Sequence, residues 1–575
     1  MRTLRFAIVV LLALTFAMLL GCSSTRGPDD QAKFEALVKR YVEASFAFNP
    51  SAATMEGFHA YDDSLENWTL DTISAEEQRI RNALHDLAGI SPAKLNPAAQ
   101  IDYDLFQRGA ERDLFNLTEM RPWETDPGQY NYGFMLEPMI ARNFAPPEDR
   151  LRSLTKRLRL VRRLLANARA NLKNPPATYT EFAAGDFEGT IAYLKNDVTR
   201  AFASVKDSTL QADFGQAKAE AIDETQQHVR WLRDTLLLQS RGSYILGEDR
   251  YRKKLRYDEM IDLPLDTLLA VGERELHRLE TRYRAAAERI APGRPMSVVL
   301  AMMRRDHPRA DGLLDYARGL LEGVRAFAIS SHFIDIPSEV RCQVRPTPEY
   351  AASRSFASFD GPGPFETKAT EAFYNITLPN PSWSQTRIEE HLQGFNRWVL
   401  PSVSIHEVYP GHYTHYLYGK NAPSLTRKAF GCGSFAEGWG LYTEEGMLDK
   451  GYGNGDPKIE FGVMRWALVR ACRLQVGIRM HARGMTMEEA VQYFVDHAGL
   501  ERANAQGEAG RATFDPTYCV YTLGALEIRK LRDDLMREQG AAFDLAKFHA
   551  TILSQGALPV ALLRRMLLKE EGSIL

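Results

Sequence analysis

Three histidines and a glutamate fall within thirteen residues of this 575-residue chain, in SIHEVYPGHYTHY from Ser404 to Tyr416. Imidazoles and carboxylates bind zinc, and two histidines four apart on a helix face one ion together. Here the fourth position after His406 is Pro410, and His412 lies six residues on, about 120° away around an unbroken helix. Pro410 lacks an N–H and clashes with the carbonyl of His406, while Gly411 supplies backbone freedom. A bulge or break there absorbs the two extra residues and turns His412 back toward His406. HEVYPGH therefore reads as a zinc motif with an insertion. His415, three after His412, is the lesser candidate.

A catalytic zinc takes three protein ligands and keeps one position open. Downstream, GSFAEGWGLYTEEG sets Glu437 and Glu444 seven apart, on one helical face. Glu437 is the expected third ligand. Glu444 is expected behind it, accepting an N–H from a ligating histidine and fixing its tautomer. Glu407 adjoins His406 and does not ligate; its expected role is general base, taking a proton from attacking water and delivering it to a leaving amine. Satisfied core histidines would account for a lone His-Glu pair, but less well for His-Glu, Pro-Gly-His and Glu-Gly-Trp together.

These residues need helices to carry them, and helical periodicity dominates from Asp29 onward. Leu151, Leu154, Leu158, Val161, Leu165, Ala168 and Leu172 recur at threes and fours until NPP, and the basic residues between them form an expected solvated face. Asp266 is expected to cap a helix bearing Leu269, Leu276, Leu279 and Tyr283. The exception is the Gly- and Pro-rich stretch before the histidines, where AFYNITL from Ala372 to Leu378 predicts a strand. Such a strand either offers its edge to an extended peptide, making Tyr374 and Asn375 candidate substrate contacts, or belongs to a hairpin that only packs. The fold class predicted is mainly α: a large helical body with a deep cleft and a small β element beside the metal-bearing helix.

Composition is that of a globular protein, 45% hydrophobic and 25% charged. A formal net charge of -3 leaves no basic field for nucleic acid. Arg2 and Arg5 precede an apolar run from Phe6 to Leu20 that is too short to span a bilayer, and LLGC ends it. This predicts a lipoprotein signal peptide over 1–21, acylation of Cys22, a tether over 22–33 and a helical domain over 34–575. That domain is expected as an N-terminal half, 34–250, and a catalytic half, 251–575. Ser23 after the cysteine places the anchor at the periplasmic face of the outer membrane. The other cysteines, Cys342, Cys432, Cys472 and Cys519, lack C-x-x-C spacing and read as small buried residues, with one disulfide open in an oxidising compartment.

The chain resembles a bacterial family known as domain of unknown function 885, whose hallmarks HExxPGH and EGWxLYxE stand here as HEVYPGH and EGWGLYTE. The segment from Tyr518 to Leu563 is similar to that family's closing part. The family looks like zinc peptidases of the gluzincin kind, and the resemblance implies His406, His412 and Glu437 as ligands with Glu407 as base. Where the family pattern has Asp-Thr-Gly, this chain has GIRMH, so that aspartate is missing and His481 lacks its usual company. Tyr521 is the expected phenolic donor to a tetrahedral oxyanion, with Tyr518 as its competitor.

The function expected is zinc-dependent hydrolysis of peptides in the periplasm. Alternatives are a cell-wall amide hydrolase and a non-catalytic lipoprotein binding module with a structural or decayed metal site. A structural site has no use for Glu407. Replacing Cys22 with Ser should release the protein from membranes and abolish fatty-acid labelling; labelling that persists would exclude the anchor.

Overall fold

The computed structural model describes residues 29–352, 355–568 and 572–575; the signal segment and Cys22 lie outside them. The chain is mainly helical, about 70%, with one three-stranded sheet. Helices that bear on the site are labelled here in chain order.

Helix α1 (Asp30–Phe48) begins where the Asp29 carboxylate accepts from the Ala32 N–H at 2.8 Å, four residues inside the expected tether. The predicted run over 151–172 forms two helices, α2 (Pro147–Arg159) and α3 (Val161–Asn171), divided at Leu160. Its apolar stripe is buried as expected. Its basic face is not simply solvated: Arg157 is wholly buried and donates to Thr54 Oγ1 at 2.7 Å and to the Tyr61 carbonyl at 3.1 Å. Lys156 and Arg159 pair with Asp63 and Asp213. In α4 (Leu265–Ile290), Leu265, Leu268, Leu276, Leu279 and Tyr283 are buried. Asp266 does not cap it. Pro264 precedes the helix, and Asp266 sits in its first turn, paired with Arg483 at 2.9 Å, where a carboxylate suits the helix dipole.

The core does not divide near residue 250. Side chains from 34–110 pack in one core with those from 276–563, while 130–236 supply most of a second.

The sheet consists of β1 (Gln343–Pro346), β2 (Ala357–Asp360) and β3 (Phe373–Ile376), in the order β1-β3-β2, with β3 parallel to β1 and antiparallel to β2. The strand predicted around Tyr374 is therefore β3, and it is central. Both rows of its backbone groups face partners, so it has no edge to offer. Tyr374 is wholly buried with its hydroxyl 3.2 Å from Ser404 Oγ, and Asn375 Oδ1 accepts from Arg345 Nε at 2.7 Å. The expectation that these two contact substrate through a strand edge is corrected; the edge next to the histidines belongs to β2.

Downstream of the sheet come α5 (Leu400–Glu407), which packs on β2, then α6 (His412–Gly419), α7 (Gly433–Asp449), α8 (Pro457–Ala482), α9 (Arg502–Phe514) and α10 (Val520–Gln539). Helices α7 and α10 meet backbone to backbone. A Cβ on Gly438 would stand 2.4 Å from the Gly524 carbonyl carbon, and one on Gly524 would stand 1.7 Å from the Ser434 oxygen. Two turns on, buried Glu445 of α7 accepts from Arg278 at 2.8 Å and Arg282 at 3.2 Å, both on α4, and from Arg529 of α10 at 3.0 Å.

Cys342, Cys432, Cys472 and Cys519 are buried and free. Among the described residues no helix is long and apolar enough to cross a membrane.

Replacing Gly524 with Val should force α7 and α10 apart and lower stability by about 1–3 kcal/mol or more, the cost of overpacking. The urea midpoint measures it, and an unchanged midpoint would contradict the crossing.

Candidate metal centre

Helix α5 ends at Glu407 and α6 starts at His412, with Val408 to Gly411 between them. The chain folds back so tightly that a Cβ on Gly411 would lie 1.8 Å from the His406 carbonyl oxygen. The Gly411 N–H donates to the Ile405 carbonyl at 3.0 Å, and the Trp439 indole on α7 donates to the Pro410 carbonyl at 2.9 Å. The break thus does what the Pro-Gly spacing requires. The His406 and His412 rings stand 4.7 Å apart at 85°.

Glu437 of α7 completes the group. Its Oε2 lies 3.3 Å from His406 Nε2 and 3.5 Å from His412 Nε2, and one donor atom from each of the three residues falls within 4.8 Å of the others. Donors held ~2.0–2.1 Å from a tetrahedral zinc lie about 3.4 Å from one another. The three residues fit that ion in donor type and in spacing.

The group is buried on one side and open on the other. His406 is 2% exposed, whereas the side chains of His412 and Glu437 are 17% and 30% exposed. Behind His406, Nδ1–H donates to Glu444 Oε1 at 2.9 Å, which directs Nε2 toward Glu437. Glu444 is fully buried, accepts from Ser402 Oγ, and has Arg470 Nη2 at 3.5 Å. Helix α7 can approach His406 so closely because of Gly440: a Cβ there would stand 2.6 Å from His406 Cε1.

The charges follow from this packing. Burial opposes a charge on His406, but hydrogen bonds to Glu437 and Glu444 outweigh it and carry its pKa up to about 9. Burial likewise works against an ionised Glu437, yet the hydrogen bonds from both histidines hold its carboxyl well below the usual range. A carboxylate between two imidazoles thus demands positive charge, which either protons or a metal can supply.

Glu407 lies beside this group without joining it. Its Oε2 accepts from the Phe359 N–H of β2 at 2.8 Å, and burial pushes its carboxyl pKa upward against the pull of both histidines. Tyr521 of α10 lies with its ring 6.1 Å from that of His406, and its hydroxyl accepts from Arg511 at 3.2 Å. Burial, followed by the Glu437 charge, raises the Tyr521 pKa, so it holds its proton. Tyr518 is wholly buried. His415 packs against Phe435 outside the metal group, and burial lowers its pKa to about 4. His481 lies outside the metal group: its Nε2 meets the Ala512 carbonyl at 2.8 Å, and its ring stacks on Tyr251.

A cavity of about 270 Å³ flanks α6, lined by Glu56, His415, Tyr416 and Lys420 among others. Another, of about 320 Å³, lies between Tyr41, Phe46, Trp68, Trp123 and Phe430 and contains none of the metal-centre side chains. The sequence reading missed the β2 backbone and three arginines, Arg470, Arg473 and Arg511. A signal for two of them was present, since ALVRACRLQV puts Arg470 and Arg473 inside a run that is apolar but for them and Gln475.

The same helical architecture recurs in a protein of Shewanella oneidensis described as a candidate lipoprotein of unknown function. That protein is 26% identical, with a TM-score of 0.76 over 93% of this chain and 99% of its own. It recurs also in a candidate lipoprotein of Colwellia psychrerythraea, 18% identical, with a TM-score of 0.78 over 93% of this chain and 98% of that one, a likeness of fold. No curated protein matches the chain. The chain belongs to the family described as "Bacterial protein of unknown function (DUF885)", whose model matches residues 50–567.

Replacing Glu444 with Gln should weaken Zn²⁺ binding about 10- to 100-fold, the usual effect of losing the partner behind a ligating histidine. Competition with a chromogenic chelator reads it, and unaltered affinity would show that Glu444 does not orient His406.

Proposed function

We propose that the protein is a zinc-dependent hydrolase of peptides, tethered by lipid in the cell envelope. The observation that carries this reading is the meeting of His406, His412 and Glu437 at zinc-like spacing, with Glu407 beside them and outside the donor set. When bound there, zinc would supply Lewis acidity to a carbonyl and to water. The rest is the work of the chain. Glu407, fixed by the Phe359 N–H, takes a proton from the attacking water and returns it to the leaving amine. Arg511 donates into the Tyr521 oxygen, which leaves the phenolic hydrogen free to donate to a developing oxyanion.

The β2 edge supports a peptide as substrate. The Thr377 N–H donates to the Phe356 carbonyl at 3.1 Å, and with strict alternation Ser358 and Asp360 also turn toward β3. Ala357 and Phe359 then turn their backbone groups away from β3, on the side where Phe359 meets Glu407. With the Phe359 N–H held by Glu407, the Ala357 N–H and the Ala357 and Phe359 carbonyls are the groups an extended peptide would pair with through main-chain bonds. A purely structural metal site has no use for a general base, which disfavours a binding module. Lipid anchoring rests on LLGC at Cys22 and on the candidate lipoproteins of the same fold.

Two comparisons test this. Purified protein should contain one zinc per chain; His412→Ala should lose most of it, and His415→Ala should keep it. Reversal would mean the ligand set is wrong. Glu407→Gln should retain zinc yet lower turnover of a quenched peptide pool by ~10²- to 10⁴-fold. Loss of zinc in that variant would make Glu407 a ligand or a structural group, and undiminished hydrolysis would assign the chemistry elsewhere.

A further inference from the structure

Beside Tyr521 three arginines converge from two helices. Arg473 of α8 and Arg511 of α9 place their guanidinium carbons 5.0 and 5.7 Å from the Tyr521 ring centroid, and Arg470 of α8 places its own at 6.0 Å. The acidic groups facing them are Glu508, Asp515 and Glu444. Glu508 takes Arg473 in a two-pronged pair at 2.8 and 2.9 Å. Asp515 takes Arg511 through a single oxygen, at 3.0 and 2.8 Å. Glu444, already bound to His406 and Ser402, approaches Arg470 only to 3.5 Å.

Arg470 is consequently under-used. It is 6% exposed, and its Nε and Nη1 are buried without any hydrogen-bond partner. The hydroxyl of Tyr518, whose ring centroid lies 5.9 Å from the guanidinium carbons of both Arg473 and Arg511, is buried without a partner as well. Leaving a buried donor unpaired costs about 1–3 kcal/mol, and more for a charged group. Two such donors on one guanidinium, one aromatic ring away from His406, are what a carboxylate-binding site looks like before its ligand arrives.

We infer that Arg470, assisted by Arg511, binds a carboxylate of the substrate next to the metal centre. This inference rests on the hydrolase reading and adds the substrate class: peptides carrying an anionic carboxylate close to the bond that is cut. Two sources supply that chemistry, a free C-terminus and an acidic side chain. Trp466, whose ring lies 4.7 Å from the Arg470 guanidinium carbon, walls the same spot and gives an optical reporter.

Binding is measured with zinc-loaded Glu407→Gln protein, so that chemistry does not intervene, by tryptophan fluorescence with N-acetylated peptides. The set comprises a free C-terminal acid, its C-terminal amide, and amides carrying one internal Glu or the matching Gln. The acid or the Glu peptide should bind about 10- to 100-fold tighter than its uncharged twin, as a charged hydrogen bond implies. Which pair discriminates identifies the source. Adding Arg470→Gln should collapse that ratio toward one with zinc content retained, whereas a merely structural arginine would lower both members of a pair equally. Arg511→Gln, whose native side chain is one-third exposed, should reduce the ratio less and serves if the Arg470 variant fails to fold. Equal binding of both twins, or a ratio indifferent to both arginine changes, would overturn the inference. Discrimination without any turnover by the native zinc-loaded protein would instead overturn the hydrolase reading and leave the carboxylate site standing.

Discussion

A carboxylate wedged between two imidazoles cannot be left to itself. Glu437 is ionised far below its ordinary range only because His406 and His412 lend it positive charge, and His406 keeps a proton to about pH 9 only because carboxylates sit at both of its nitrogens. The arrangement resists neutralisation of any member, since each removal strands an opposite charge in a partly dry environment. A divalent ion held by His406, His412 and Glu437 would satisfy all three groups at once and take the place of the proton on His406 Nε2. The local fold is organised around holding that demand for positive charge in place.

Close backbone approach is the means. Gly411 lets the chain double back over the end of α5, Gly440 lets α7 come up against the His406 ring, and Gly438 with Gly524 lets α7 and α10 touch. Glu437 and Tyr521 each stand within one turn of that last contact, so one crossing places both a carboxylate of the candidate metal centre and the tyrosine whose ring lies 6.1 Å from that of His406. Side chains at these positions would move the donors by more than the tolerance of a coordination sphere.

Much of the spatial grouping was legible in the sequence, because it is encoded locally. The Pro-Gly break acts over six residues, and the seven-residue interval between Glu437 and Glu444 is a helical period, so neither needs tertiary information. The central place of β3 was not legible. Strand order depends on β1 and β2, whose four residues each carry no clear alternation, and β2 lies in a stretch rich in Gly and Pro. For the same reason Tyr374 and Asn375 read as edge residues but are interior ones. Asp266 misled because carboxylates favour both the cap and the first turn of a helix. Arg470, Arg473 and Arg511 join across two helices and forty residues, a proximity that no local spacing announces.

Adjacent glutamates on α7 point to different sides: Glu444 toward His406, Glu445 into the arginines of α4 and α10. Neighbouring residues on a helix diverge by 100°, so the two anchors pull on α7 from different bearings and oppose any roll about its axis. A roll of 30° at a side-chain radius of ~6 Å would sweep Glu437 through about 3 Å, nearly the full separation between the donors. The helix behaves as a keyed shaft, and its angular setting fixes the aim of Glu437 at the two histidines.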